Sequence, residues 1–81
     1  MKYYIQDTRS FVGNCMVFWG INRSGYVTDI SKAGLYEENE AKQICTNRKT
    51  DIAWPENYIK SKIIQVVDMQ YVDKNKARWK K

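Results

Sequence analysis

The stretch that most constrains the fold is residues 13–30. Two apolar runs, Cys15-Met-Val-Phe-Trp19 and Tyr26-Val-Thr-Asp-Ile30, are joined there by the polar loop Ile21-Asn-Arg-Ser-Gly25. β-Branched and aromatic residues on either side of a short loop containing Asn and Gly predict a β-hairpin. Gly25 is the residue able to supply a positive φ in that loop. The first arm is apolar on both faces. Such a strand is either covered on both sides, or covered on one and used for binding on the other. In the second arm Tyr26, Thr28 and Ile30 share one face while Val27 and Asp29 share the other, which places it nearer an edge.

A chain of 81 residues makes one domain, and a chain this short buries only about 60–65% of its unfolded surface. With 43% hydrophobic and 14% aromatic residues, it has enough large side chains to close a small core. No apolar run reaches the roughly 18–20 residues that cross a bilayer, and Met1-Lys-Tyr-Tyr-Ile-Gln-Asp lacks the apolar core of a signal peptide. The expected location is cytoplasmic, with no membrane partner.

The chain contains no histidine. Ser-His-Asp and Cys-His catalysis are thereby removed, together with the commonest general base at neutral pH and most catalytic metal sites. Asp7, Asp29, Asp51 and Asp68 stand singly beside turn or strand-end residues, and read as turn or solvated-face groups rather than acid/base pairs. Cys15 and Cys45, one on an expected strand and one on an expected helix, read as buried free thiols rather than a disulfide. No catalytic, cofactor or metal-binding residues are expected, and the chain is not expected to be an enzyme.

The net charge of +5 is unevenly placed. Residues 1–72 carry nine Lys/Arg against eight Asp/Glu, whereas residues 73–81 carry five against one. The reading is a domain over residues 1–72 followed by a basic tail over residues 73–81.

In chain order, Lys2-Tyr-Tyr-Ile-Gln6 predicts a strand ended by turn chemistry at Asp7-Thr-Arg-Ser10. Gly13-Asn14 predicts a bend or bulge before the hairpin. Residues 37–49 predict the main helix, with Ala41, Ile44 and Cys45 forming its apolar stripe and acids preceding bases along its axis. Pro55 predicts a helical turn over residues 56–59, with Trp54 plugging the end of the core. Residues 62–72 predict the longest strand, with Ile63, Val67, Met69 and Tyr71 on one face and Ile64, Val66 and Val72 on the other. The expected fold is α+β: an antiparallel sheet of three to four strands, one main helix on one face, and a short helical turn before the last strand. The uncovered face would hold Tyr3 or Tyr4, Phe18 or Trp19, and Tyr26, according to register.

Tyr3-Tyr-Ile-Gln, Val12-Gly-Asn, the apolar run ending in Trp19, Gly25-Tyr-Val-Thr-Asp-Ile, Ala33, Tyr36, Glu40-Ala41 and Thr50-Asp-Ile-Ala-Trp-Pro-Glu-Asn-Tyr-Ile together resemble small uncharacterised proteins encoded by tailed bacteriophages and prophages. The resemblance spans most of residues 3–72 and brings no catalytic or ligand residues with it. Two departures from the pattern are Glu37, where a Ser or Thr helix cap is expected, and the single Trp19, where an aromatic pair is expected. The resemblance implies a non-enzymatic accessory factor, such as an anti-defence or anti-CRISPR-type inhibitor, acting on a host protein or nucleoprotein in the host cytoplasm. Its expected contact surface is an aromatic sheet face with a charged rim, comprising Arg9, Phe18, Trp19, Arg23, Tyr26 and Lys32. The alternative is an RNA- or DNA-binding protein that uses Lys74, Lys76, Arg78, Trp79, Lys80 and Lys81 with an exposed sheet aromatic. The sequence also leaves a homodimer open.

Overall fold

The computed structural model describes residues 1–79; Lys80 and Lys81, the end of the expected basic tail, lie outside the described residues. The fold is α+β, an antiparallel curled sheet with one main helix. Its axis is β1 (Lys2–Val12), which turns at Gly13 and Asn14 into β2 (Cys15–Trp19), so that Val12 faces Cys15 and Gln6 faces Phe18. Gly13 takes φ +58° in this two-residue connection, a conformation that a Cβ would strain. β3 (Tyr26–Val27) pairs with β2, placing Tyr26 opposite Trp19. The loop between them holds a single 3-10 turn at Ile21–Arg23, and Gly25 has the expected positive φ, at +73°.

β4 (Tyr36–Glu37) meets the beginning of β1 and leads directly into α1 (Glu38–Asn47). The helix turns Ala41 and Ile44 into the core and keeps Cys45 half-buried, matching the apolar stripe in the sequence. Glu37 precedes it as N-cap without a side-chain capping bond. β5 (Asp51–Pro55) then lines the other flank of β1, from Asp7–Asp51 to Tyr3–Pro55, and α2 (Glu56–Lys60) follows at once.

Four details differ from the sequence reading. First, β1 does not stop at Gln6. Asp7 is held by Arg9, and the Thr8 amide and hydroxyl both donate to the Thr50 carbonyl at 2.9 and 2.6 Å, so turn-forming residues are kept extended, with a register shift between Gln6 and Phe11. Second, residues 51–55 form a strand, where the sequence places only Trp54 as a plug before the helical turn. Pro55, which lacks an N–H, is tolerated because it ends a strand at the sheet's edge. The sheet thus has five strands, one more than the upper expectation. Third, residues 62–72 form no strand; both flanks of β1 are already occupied, and a β-prone segment without a neighbouring strand has no ladder to join. Fourth, the helical turn therefore follows the last strand instead of preceding it.

Both faces of the sheet are covered. Between α1 and the sheet, Ala41 and Ile44 of the helix pack with Ile5 and Tyr36, and Tyr3, Trp19 and Ala53 pack against them; Ile5 is completely buried. On the opposite face Tyr4, Phe18, Ala33 and Ile59 form a second cluster, bordered by Met16, Ile30 and Trp54. α2 contributes Ile59, and Trp54 stacks on Tyr58 while donating its indole N–H to the Gln6 side chain at 2.9 Å. The face that the sequence leaves uncovered is closed by the chain's own second helix. Among the described residues, no helix is long and apolar enough to cross a membrane.

Candidate interaction surface

Strand geometry builds the most organised surface cluster. Residues two apart on a strand share a face, so Asp7 and Arg9 lie on one side of β1 and meet: Arg9 donates from Nε and Nη2 to the two Asp7 oxygens at 3.0 and 2.9 Å, and from its backbone N–H at 3.0 Å. Asp7 is itself buried. The Arg9 hydrogen bonds hold its carboxyl below the usual range against the opposing pull of burial, with the charge of Arg48 adding to the effect. The same pairing pushes the Arg9 guanidinium further up.

Arg48, which ends α1, supplies the second cation. Its Nε lies 3.8 Å from the buried Asp51 carboxylate, and its guanidinium sits 6.0 Å from the centre of the Trp19 ring. Trp19 meets Tyr26 and Tyr36 edge-on, with centroid separations of 6.1 and 6.5 Å. Both arginines reach the Tyr26 hydroxyl: Arg9 Nη2 at 3.4 Å, Arg48 Nη1 and Nη2 at 3.3 Å each. These contacts are long and individually weak. Together they hold an exposed phenol between two guanidinium groups, one hydrogen-bonded to the enclosed Asp7 and the other 3.8 Å from the enclosed Asp51. Val12, Val17, Val27, Thr28 and Lys32 continue the surface beside Tyr26 as a shallow depression of about 450 Å³.

The structure divides the contact residues expected from the sequence. Arg9, Tyr26 and Lys32 share this surface, and Trp19 lies half-buried beneath Tyr26 with its indole N–H enclosed and unpaired. Phe18 is corrected from a surface residue to a core residue; it is 5% exposed and packs against Tyr4 because β2 alternates its faces and the second face is covered. Arg23 is committed elsewhere, its Nε on Glu40 at 3.2 Å and its backbone N–H on the Tyr36 hydroxyl at 2.9 Å. Lys74, Lys76, Arg78 and Trp79 are exposed, and Arg78 lies over the ring of its neighbour Trp79 at 4.7 Å.

Asp7 and Asp51, expected from the sequence to be turn or solvated-face groups, are buried in this cluster, and with Arg48 they are the members that the sequence reading missed. The Asp7-x-Arg9 spacing carried a usable signal, since a strand places both side chains on one face. Comparisons with protein-family models, curated proteins and solved structures find no match to this chain.

Proposed function

We propose that this chain is a non-enzymatic phage accessory protein that binds a host protein, alone or within a nucleoprotein complex, in the host cytoplasm, as anti-defence inhibitors of the anti-CRISPR type do. The observation that carries the reading is Tyr26, 48% exposed and held between Arg9 and Arg48 on the shelf beside Lys32. Tyr and Arg dominate the energetics of protein interfaces. A tyrosine already fixed by its neighbours loses little freedom on binding, and that is where affinity is otherwise given up. The resemblance to phage-encoded proteins supports the biological setting.

The test is capture from bacterial cells expressing the tagged protein, at about 150 mM salt. A stoichiometric protein partner that is retained by the parent chain and lost by Tyr26→Ala and Lys32→Glu, each folded by circular dichroism, supports the reading. Retention of the same partner by both variants overturns it. Recovery of RNA or DNA alone also overturns it, if binding falls steeply between 50 and 200 mM salt and disappears on deletion of residues 74–81. That outcome favours the nucleic-acid reading, which the exposed Arg78–Trp79 pair supports.

A further inference from the structure

We propose that the partner of the Tyr26 face seats an aspartate or glutamate side chain on the Arg9 and Arg48 guanidinium groups, with an apolar side chain of the same segment in the depression beside them. This rests on the reading of that face as the contact surface and adds the chemistry of what it contacts. The cluster is layered. Side-chain exposure is 50% for Arg9 against 5% for Asp7, and 36% for Arg48 against 0% for Asp51, so the cations reach solvent while their carboxylates lie behind them. A guanidinium carries five N–H donors. Arg9 spends Nε and Nη2 on Asp7 and Tyr26, and its Nη1 donates to none of the described residues. Arg48 makes only the long bonds to the Tyr26 hydroxyl, at 3.3 Å from Nη1 and Nη2, and stands 3.8 Å from Asp51. Outward-facing donors are thus left over on both.

One acidic group satisfies these donors together. Both guanidinium groups approach the same phenol oxygen, Arg9 at 3.4 Å and Arg48 at 3.3 Å, so their nearest donors are no further apart than those two distances end to end. A carboxylate accepts charge-assisted bonds of about 2.7–2.9 Å at each of its two oxygens and so reaches both, with bonds roughly twice as strong as neutral ones. The Tyr26 hydroxyl accepts from both arginines and donates to none of the described residues, which leaves its own proton for the same carboxylate. Val12, Val17 and Val27 line the depression alongside and suit an apolar neighbour of the acidic residue. A nucleic-acid backbone fits less well. It takes a track of Lys and Arg, whereas among the described residues the depression offers a single cation, Lys32, whose charge acts on the neighbouring Asp29. Arg9 and Arg48 are also formally balanced by Asp7 and Asp51, so the site selects at contact rather than from a distance, and its binding should depend only weakly on salt.

The test is NMR titration of the full ¹⁵N-labelled chain with three probes: the peptide acetyl-Leu-Glu-Val-amide, the same peptide with glutamine in place of glutamate, and a single-stranded RNA dodecamer. The glutamate peptide should shift the Arg9 and Arg48 Nε–H signals and bind at least about tenfold more tightly than the glutamine peptide, with less than about threefold change between about 50 and 200 mM salt. Arg48→Gln, folded by circular dichroism, should weaken the glutamate peptide about tenfold, and Arg48→Lys, which keeps the charge and loses the fork, should recover only part of the loss. Equal binding of the two peptides overturns the proposal, as does no measurable binding of either up to about 10 mM, or an Arg48→Gln chain that binds like the parent. RNA that shifts the same signals with a steep salt dependence also overturns it. A cellular partner that Tyr26→Ala loses and Arg48→Gln keeps leaves the host-partner reading standing and removes this one, so the two failures are separately visible.

Discussion

Asp7 and Asp51 face each other across the pairing of β1 with β5, both enclosed, yet only Asp7 is hydrogen-bonded. Asp51 has no donor within hydrogen-bond distance, and its nearest cation, Arg48 Nε, stands at 3.8 Å. Two identical residues at one register position therefore contribute differently. Losing Asp7 breaks a bidentate charged contact and should cost about 1–3 kcal/mol in Asp7→Asn. Removing the Asp51 charge relieves a desolvated group without a compensating bond, so Asp51→Asn should lie within about 1 kcal/mol of the parent or be more stable. Urea midpoints measured side by side check this. Equal losses would mean that the two carboxylates act as one network.

Acid stability follows from Asp7 with a definite sign. Its folded-state carboxyl titrates below its unfolded value because Arg9 favours the charged form, so the folded chain binds fewer protons in that window. The contribution is complete above the unfolded carboxylate range near ~4 and is lost as pH falls through the lowered folded value. Asp29, lowered by hydrogen bonds from Ser31, adds to the same window. Melting temperature against pH should be flat with respect to these groups from about 5 to 7 and fall below about 4. The fall should be shallower in Asp7→Asn.

The same cluster shows where sequence reasoning succeeds and where it stops. The stripe of Ala41, Ile44 and Cys45, the positive φ of Gly25 and the helical turn after Pro55 each depend on residues within a few positions of one another, and local rules find them. Asp7 reads as a turn residue because its propensity is for turns; tertiary contacts with Arg9 and β5 override it. Phe18 and Trp19 point to opposite faces of β2, and Phe18 is a core residue because Tyr4, Ala33 and the α2 residue Ile59 close over its face, which the hairpin does not encode. Residues 62–72 are the converse case. Their pattern is that of a strand, and a strand exists only where a neighbour offers its backbone.

Tyr36 and Gly34 make a close-packed joint beneath the β2–β3 loop. The Tyr36 hydroxyl donates to the Gly20 carbonyl and accepts the Arg23 N–H, satisfying two backbone groups where the loop leaves the sheet. Tyr36→Phe keeps the ring and orphans both groups, so a loss of about 1–3 kcal/mol is expected. A Cβ on Gly34 would stand 2.6 Å from the Gly20 carbonyl oxygen, a backbone atom that cannot step aside cheaply. Gly34→Ala should therefore destabilise by about 1–3 kcal/mol even though alanine is the smallest change available. Thermal denaturation of both variants checks the pair. A neutral Gly34→Ala would mean that the Gly20 strand end yields.

The two cysteines should separate in reactivity, and the separation reports on whether α1 is docked. Burial pushes the Cys45 thiol up, and the nearby Asp51 charge adds to this, so the thiolate required for alkylation is scarce at neutral pH. Cys15, expected from the sequence to be buried, instead lies exposed at the start of β2. With iodoacetamide at pH 7.5, mass mapping should find Cys15 labelled first and Cys45 at least about tenfold more slowly, with the difference vanishing in denaturing urea. Opening the core under the helix should remove the protection. Ile5→Ala, which empties the fully buried position against Ala41 and Ile44, should destabilise by about 3–4 kcal/mol and raise the Cys45 rate while leaving Cys15 unchanged. If Cys45 instead reacted as fast as Cys15 in the folded parent, α1 would not be held on the sheet in solution.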